Sequence, residues 1–195
     1  MDRLHSVIAA LSLAMACDAG AAAPPPPGAG RVEAVTAKKP AADPLAGFCD
    51  NYTPKGAQKT LSLPPLTPPL KEKASAPQWV NLWATWCKPC VEEMPMIAAW
   101  QKRRAAAGAV ADVLFVSVDA EASAVEEFRK AHPNIPESRR LDDPEALNGL
   151  IEAVGLDPGA GVPIHIFANA GQQVRCVRSG AVTEEHLDMI DGLMN

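Results

Sequence analysis

Two cysteines separated by two residues, Cys87 and Cys90, stand where the apolar pattern of the chain changes its period. Before them, Gln78 to Trp83 is a short apolar run broken by Asn81, which predicts a buried strand that ends at the cysteines. After Cys87, apolar residues recur at three-to-four spacing, as on one face of a helix. The stretch therefore predicts a pair of thiols at the start of a helix, directly behind a strand of the core.

The C-x-x-C spacing serves three kinds of chemistry: metal ligation, covalent haem attachment and dithiol exchange. Structural zinc usually needs two such pairs, or one pair and two spaced histidines, and this chain has a single C-x-x-C. Haem attachment requires a histidine directly after the second cysteine, where this chain has Val91. The spacing therefore favours dithiol chemistry at Cys87 and Cys90.

The first residues predict export. Arg3 precedes an apolar stretch, 7–16, that is about half of the roughly 20 residues a membrane span needs, so residues 1–17 are interpreted as a signal peptide. The letters LAMAC, which end at Cys17, predict the lipoprotein type, in which Cys17 becomes the acylated N-terminus. A plain signal peptide, cleaved further along, is the alternative.

Residues 18–46 are rich in Ala and Pro and include the run Pro24–Pro27. They have too little bulky apolar surface to offset chain entropy, so we interpret them as an extended, disordered linker that would hold a domain away from a membrane. Residues 47–195 then have the length of one ordinary domain with a core. The net charge of −5, with scattered Lys and Arg, predicts no nucleic-acid partner.

The remaining cysteines predict a structural bridge. In an oxidising compartment cysteines tend to be paired, modified or catalytic. With Cys17 lipidated or removed, and with the C-x-x-C as the local pair, Cys49 and Cys176 are left to each other. Neither has the local context of a reactive thiol, so we predict a structural disulfide between them, with two free thiols as the alternative.

Downstream of the first helix, strand and helix patterns alternate. Val113 to Val118 is a near-continuous, mostly β-branched run of the kind found in strands covered on both faces. Ser123 and Glu126 have the spacing of a capping box for a second helix. Asp143 followed by Pro144 predicts the start of a third.

The C-terminal part predicts a hairpin and a closing helix. VPIHIF at 162–167 and VRCVR at 174–178 are strands separated by the turn ANAGQQ, and Thr183 opens the last helix. The order of elements predicts the α/β class, as a thioredoxin-like three-layer α/β/α sandwich with a mixed central sheet.

Three stretches carry a resemblance to a known family: WVNLWATWCKPCVEEMP at 79–95, VSVDAEASAVEEFRKAH at 116–132 and GVPIHIFANAGQQV at 161–174. Over about 61–195 the chain resembles thioredoxin-like proteins, and within them the extracytoplasmic TlpA/ResA-like thiol-disulfide oxidoreductases. The resemblance implies a cis peptide bond at Val162–Pro163 that faces the cysteine pair. A proline within an apolar strand is itself unusual, because it cannot donate to the ladder.

The chain departs from the family at three places. Asn81 stands where cytoplasmic thioredoxins have a buried aspartate, although asparagine is common there in the TlpA-like group. His165 stands where many members have threonine. Residues 63–77 are a poor match to the family's usual hairpin, so the resemblance does not predict how the chain enters the domain.

The position of Cys87 predicts a reactive thiol. At the start of a helix, unpaired N–H groups and the positive end of the dipole stabilise the thiolate, which is the attacking species. We therefore predict Cys87 as the exposed nucleophile and Cys90, one turn on, as the less exposed resolving cysteine. Pro89 would stiffen the turn, and Lys88 is either a positive charge beside the thiolate or a solvated side chain.

Glu93 lies three residues beyond Cys90 and hence on the same helical face. A carboxylate there could accept the proton of Cys90 as that thiol becomes the resolving nucleophile. The resemblance agrees, since the ResA-like group has a glutamate at this place. An ordinary solvated helix glutamate is the alternative.

Other residues are assigned to the surroundings of the cysteines. Trp86 is predicted as an apolar shelf for partner peptides and Trp83 as a core residue. Val162 would border the groove in which a partner's backbone pairs like an extra strand. His165 is predicted as a hydrogen-bonded core histidine, with a proton relay as the alternative.

These features predict a membrane-tethered, periplasmic or otherwise extracytoplasmic oxidoreductase without cofactor or metal. The resemblance implies that a membrane thiol donor of the DsbD/CcdA type supplies electrons for the reduction of disulfides in exported proteins, with apocytochromes c as a candidate substrate. One alternative is an oxidant of the same fold, which differs in reduction potential rather than in motif. Another is a non-catalytic copper- or zinc-binding module that uses Cys87, Cys90 and His165.

Overall fold

The computed structural model describes residues 43–53, 59–70 and 75–195. They belong to one compact unit, which spans Ala41–Asn195. The predicted signal peptide, 1–17, the lipidation at Cys17 and the linker as far as residue 42 lie outside the described residues.

A mixed sheet forms the centre of the domain. In the described residues it has seven strands, in the order β1-β7-β6-β3-β4-β5-β2. β3, β4 and β5 are parallel, and the other neighbouring pairs are antiparallel. The strands are β1 (Asn51–Tyr52), β2 (Leu66–Thr67), β3 (Gln78–Trp83), β4 (Asp112–Ser117), β5 (Ser138–Leu141), β6 (Ile164–Ala168) and β7 (Val174–Ser179).

Helices make the crossovers that parallel strands require. α2 links β3 to β4, and α3 links β4 to β5. The helices are α1 (Pro44–Phe48), α2 (Lys88–Ala106), α3 (Ala122–Ala131), α4 (Ala146–Ala153) and α5 (Leu187–Leu193), and a 3₁₀ turn, Glu184–His186, precedes α5.

The core lies on both faces of the sheet. All six residues of β3 are buried, which explains why its sequence is a continuous apolar run. Trp79 and Trp83 pack into one cluster with residues of α2, α3 and α5, whereas Val80 and Leu82 pack into a second cluster with residues of α4. Because successive side chains of a strand alternate between faces, helices cover both faces of the sheet. The predicted three-layer α/β/α sandwich with a mixed sheet is confirmed.

The starts of two helices differ from the sequence prediction. α3 begins at Ala122, and its N-cap, Glu121, makes no side-chain capping bond. The capping box predicted at Ser123 is therefore wrong, because that residue already lies inside the first turn. At α4, Asp143 accepts a hydrogen bond from the backbone N of Glu145 at 2.9 Å, and the helix begins one residue later.

The entry to the domain, which the resemblance left open, is an edge strand. Leu66 and Thr67 form β2 and pair antiparallel with Leu141 and Arg140 of β5. Leu66 is buried and adds to the cluster around α4. This segment therefore completes the sheet at the edge opposite β1.

Candidate active site

A disulfide joins Cys87 and Cys90 at the N-terminus of α2. Cys87 is the N-cap residue with an extended backbone, and its Sγ accepts a hydrogen bond from the backbone N of Cys90 at 3.3 Å. Cys87 keeps 4% exposure, whereas Cys90 is fully buried. Cys87 is therefore the member of the pair that reaches the surface, although it is less exposed than the sequence led us to expect.

Lys88 and Pro89 occupy the first positions of α2 and are exposed. The ammonium group of Lys88 forms an ion pair with Glu92 one turn further on, and both side chains are largely solvated. Surface pairs of this kind contribute little to stability. The charge of Lys88 is thus directed to Glu92 and solvent, which favours the interpretation of Lys88 as a solvated side chain.

A cis peptide bond joins Val162 to Pro163 and faces the cysteines. The carbonyl oxygen of Val162 lies 3.6 Å from Sγ of Cys87. Val162 is half-buried and Pro163 is buried, and the carbonyl oxygen of Pro163 accepts a hydrogen bond from Gly180 N at 2.8 Å. The arrangement that the resemblance implied is therefore present.

The two tryptophans near the cysteines differ in exposure. Trp86, which directly precedes Cys87, is 72% exposed. Trp83 is fully buried, and its ring centroid lies 5.8 Å from that of Phe128. Trp86 is therefore free to contact another polypeptide, while Trp83 belongs to the core.

A buried carboxylate that sequence analysis missed holds the turn before the cysteines. Asp119 accepts hydrogen bonds from the backbone N and the hydroxyl of Thr85, at 3.0 and 2.8 Å, and from the hydroxyl of Ser117 at 2.7 Å. β3 and β4 are parallel, with Trp83 opposite Ser117, so their carboxyl ends meet. The available signal was the pattern Ser-x-Asp at the end of a strand parallel to the one that precedes the cysteines.

Glu93 faces the interior. It is 4% exposed, and like Cys90 it belongs to the buried face of α2. Its Oε1 accepts a hydrogen bond from Nδ2 of Asn81 at 2.8 Å, and its Oε2 accepts one from the backbone N of Val182 at 2.8 Å. The alternative of a solvated glutamate is therefore excluded, and Asn81, the polar residue within the apolar strand, is explained as a partner of Glu93.

His165 is a buried histidine on β6, opposite Asn81 of β3. Its Nδ1 accepts a hydrogen bond from the indole Nε1 of Trp79 at 3.1 Å, and its Nε2 lies 3.4 Å from Oε1 of Glu93. The predicted hydrogen-bonded core histidine is thus present, and it also touches the carboxylate of the site.

A second disulfide joins Cys49 to Cys176, with a Cα–Cα distance of 5.5 Å and a separation of 127 residues along the chain. Cys49 follows α1, and Cys176 lies in β7 opposite Tyr52. Both cysteines are buried. The bridge ties the segment around α1 to the hairpin of β6 and β7.

The part of the chain that the structure describes contains no cluster of side chains suited to metal binding. No group of three or more His, Cys, Asp or Glu side chains there could hold a metal ion. The third ligand of the metal-binding alternative, His165, contacts Trp79 and Glu93.

No helix within the described ranges is long and apolar enough to cross a membrane.

Comparisons with known proteins agree with this architecture. No family model matches the chain. The thioredoxin-like protein YneN of Bacillus subtilis (strain 168) is 45% identical over 49 residues, which are 25% of this chain and 29% of that protein. The match therefore spans less than a third of the relative's length.

Two solved structures illustrate the likeness in fold. A candidate thiol-disulfide oxidoreductase from Bacteroides vulgatus superposes with a TM-score of 0.50 at 22% identity, over 62% of this chain and 79% of that one. A thiol:disulfide interchange protein of the thioredoxin family from Chlorobium tepidum TLS gives a TM-score of 0.48 at 26% identity, over 62% and 81%. The chain therefore has the thioredoxin-like fold, and its C-x-x-C disulfide faces the cis-proline.

Proposed function

We propose that this protein exchanges disulfides with other proteins by cycling between the Cys87–Cys90 disulfide and dithiol. The observation that carries the proposal is the position of the Cys87 sulfur, at the N-terminus of α2 and 3.6 Å from the carbonyl oxygen of Val162. A redox-active cysteine needs a helix start that stabilises its thiolate and a surface on which a partner chain lies. Cys87 has both.

In the reductive direction, the thiolate of Cys87 attacks one sulfur of a substrate disulfide. The substrate S–S bond breaks, a bond forms between Cys87 and the attacked sulfur, and the other substrate sulfur leaves as a thiolate that takes a proton from water. The N–H of Cys90, 3.3 Å from the Cys87 sulfur, supports the attacking thiolate. We assign Trp86 and Val162 to contact with the partner peptide, because Trp86 is exposed and Val162 is half-buried beside the disulfide.

Cys90 then resolves the mixed disulfide. Its thiol gives a proton to Glu93, and its sulfur attacks Sγ of Cys87, so that the second substrate sulfur leaves. The Cys87–Cys90 disulfide forms, and the substrate has gained two electrons and two protons. Two observations support this role of Glu93: it shares the buried face of α2 with Cys90, and donors from Asn81 and Val182 hold its carboxylate in place.

We also propose that the protein works outside the cytoplasm, tethered to a membrane through Cys17. The apolar stretch at 7–16 and the letters LAMAC support export and lipidation. The Cys49–Cys176 bridge supports an oxidising compartment, since structural disulfides persist there. A membrane thiol donor of the DsbD/CcdA type would then return the two electrons, and the substrates would be disulfide-bearing exported proteins such as apocytochromes c.

The reduction potential of the Cys87–Cys90 pair tests the direction. The full chain is equilibrated in thiol buffers, trapped with an alkylating agent and analysed by peptide mass. A value below about −220 mV supports a reductant, whereas a value near about −120 mV makes the protein a disulfide donor. Tight stoichiometric binding of copper or zinc by the reduced protein, with loss of thiol reactivity, would favour the metal-binding alternative.

Trapping tests the assignment of the two cysteines. The Cys90→Ser variant should accumulate a mixed disulfide with a protein substrate such as insulin, because the resolving thiol is missing. The Cys87→Ser variant should form none. Disulfide reduction by Cys87→Ser at the wild-type rate would overturn the proposal.

A further inference from the structure

Three polar side chains meet in the interior beside α2. Asn81 and His165 are completely buried and lie opposite each other on β3 and β6, and Glu93 reaches them from α2. Buried polar groups are costly unless they are hydrogen-bonded. The contacts within this group therefore determine how Glu93 holds its charge and its orientation.

Trp79 determines which nitrogen of His165 carries the proton. An indole N–H can only donate a hydrogen bond, so the 3.1 Å contact from Trp79 Nε1 makes Nδ1 of His165 an acceptor. The neutral imidazole then carries its single proton on Nε2. A second proton, on Nδ1, would face the indole N–H and break this hydrogen bond.

The protonated nitrogen of His165 faces Glu93. Nε2 lies 3.4 Å from Oε1 of Glu93, a close contact without hydrogen-bond geometry, and within the described ranges Nε2 has no hydrogen-bond partner. Oε1 also accepts from Asn81, and Oε2 accepts from Val182 N. Asn81 and Val182 donate to the carboxylate and the Nε2–H of His165 lies beside it, so together they stabilise its negative charge.

We infer that His165 is a positioning residue for Glu93, an inference that rests on the proposed role of Glu93 in the resolving step. The proton passes from Sγ of Cys90 to the Glu93 carboxylate, and His165 keeps its own proton on Nε2 throughout. Because Trp79 occupies Nδ1, the imidazole acts as a fixed donor and not as a relay. It keeps an N–H beside the carboxylate during the resolving step.

Arg178 and His186 lie beside this chain of contacts. Arg178 on β7 is the register partner of His165, and its guanidinium group donates to the carbonyl oxygen of Phe48 at 2.8 Å and lies over the Phe48 ring. His186 lies on the 3₁₀ turn, and its pKa is lowered by burial first and by Arg178 next. Since a histidine with a lowered pKa can contribute to a pH profile, His186 needs a control of its own.

A matched pair of variants separates the two contacts of His165. His165→Asn places its carboxamide near the position of Nδ1, so it keeps an acceptor for Trp79 and loses the donor to Glu93. His165→Gln reaches the position of Nε2 and keeps that donor. The rate at which Cys90 releases a substrate thiol from a preformed mixed disulfide is measured in the full chain from pH 5 to 9.

We expect His165→Asn to move the midpoint of this pH profile upward by about one unit, because the carboxylate loses a donor and holds a proton more tightly. His165→Gln and the control His186→Gln should leave the midpoint within a few tenths of a unit. Equal shifts in both His165 variants, or none in either, would overturn the inference. A purely structural histidine would lower the free energy of unfolding in both variants and leave the profile in place.

Glu93→Gln separates this inference from the proposed function. If that variant loses the pH dependence while His165→Asn keeps the wild-type midpoint, the proposed role of Glu93 is supported and the inference about His165 is wrong. If Glu93→Gln resolves the mixed disulfide as the wild type does, the role of Glu93 fails, and with it the inference. Should His165→Asn not fold, Trp79→Phe offers a second route. It removes the Trp79 donor to Nδ1, keeps the contact of Nδ1 with Asn81 Nδ2 at 3.3 Å and leaves Nε2 beside Glu93, so the wild-type midpoint is expected, and a shifted midpoint contradicts the inference.

Discussion

The carbonyl oxygen of Val162 lies 3.6 Å from the sulfur of Cys87, so the start of β6 and the start of α2 face each other. This relationship divides the site into two parts. Trp86 and Val162 form an exposed or half-exposed rim that a partner can touch. Glu93 and His165 form a buried part, and we propose that Glu93 in it accepts the proton of the resolving step.

Because Trp86 lies on the exposed rim, Trp86→Ala should impair the reaction with protein disulfides and not the reaction with small ones. Loss of a large exposed aromatic contact should raise KM for a protein disulfide about tenfold, while the reaction with a small disulfide such as oxidised glutathione stays unchanged. Steady-state kinetics with both substrates measure this. Val110→Ala, which removes another exposed apolar side chain, is the control and should change neither rate. An equal loss with both substrates would show that Trp86 acts on the sulfur and not on the partner.

Glu93→Gln should slow the resolving step roughly 10- to 100-fold at neutral pH, because the variant has no carboxylate to accept the proton of Cys90. The initial attack by Cys87 should keep its rate, so the mixed disulfide accumulates. Rapid acid quench followed by mass analysis of the intermediate gives both rates. Glu92→Gln, one position away on the exposed face, is the control and should behave as the wild type. The prediction fails if the two variants give the same rates.

Asp119→Ala should destabilise the domain by about 2–4 kcal/mol, because it leaves the donors of the half-buried Thr85 and the buried Ser117 without their acceptor. Urea unfolding of the oxidised protein measures the loss. The same variant should speed alkylation of reduced Cys87, since the turn that carries the cysteine is no longer held. Asp188→Ala, an exposed carboxylate on α5, is the control. A loss no larger than that of the control would rule out a supporting role for Asp119.

Replacement of both Cys49 and Cys176 by alanine should cost about 2–4 kcal/mol, because the bridge closes a loop of 127 residues and restricts the unfolded chain. The Cys87–Cys90 pair should keep its exchange activity, since the bridge ties the segment around α1 to β7 and not to α2. Urea unfolding measures the loss of stability, and an insulin-reduction assay measures the exchange activity. Unchanged stability of the double variant would mean that the bridge does not constrain the unfolded state.

The lowered pKa of His186 should make part of the free energy of unfolding depend on pH. Burial, with Arg178 next, lowers the pKa of His186 in the folded protein, so the unfolded chain binds its proton more readily. The stabilisation from the neutral ring is present above the ordinary histidine value of about 6.5 and is lost as the pH falls through the lower folded value. His186→Asn keeps an acceptor near the position of Nδ1 for Thr183 N and should lose less stability between pH 7.5 and 5.5 than the wild type. Equal losses in urea midpoint for the two proteins would contradict this.

Local patterns predicted much of the neighbourhood of the cysteines. β3 runs from Gln78 to Trp83, as the apolar run indicated, and α2 begins directly after Cys87. The capping box predicted at Ser123 was wrong, because its pattern covers only a few residues and α3 begins one residue earlier, at Ala122. Asp119 escaped notice because its partner Thr85 is 34 residues away and meets it only through the parallel pairing of β3 and β4.

The sequence by itself determined that a dithiol stands at a helix start behind a buried strand, because these features follow from neighbours within a few residues. Only the tertiary structure decided what surrounds Glu93. Its partners Asn81 and Val182 lie 12 and 89 residues away, and His165 reaches it from a strand that pairs with β3. Hydrophobic period and turn residues specify elements, whereas the order and register of strands bring distant side chains together. For that reason the cysteine pair could be predicted from the chain, and the contacts of Glu93 could not.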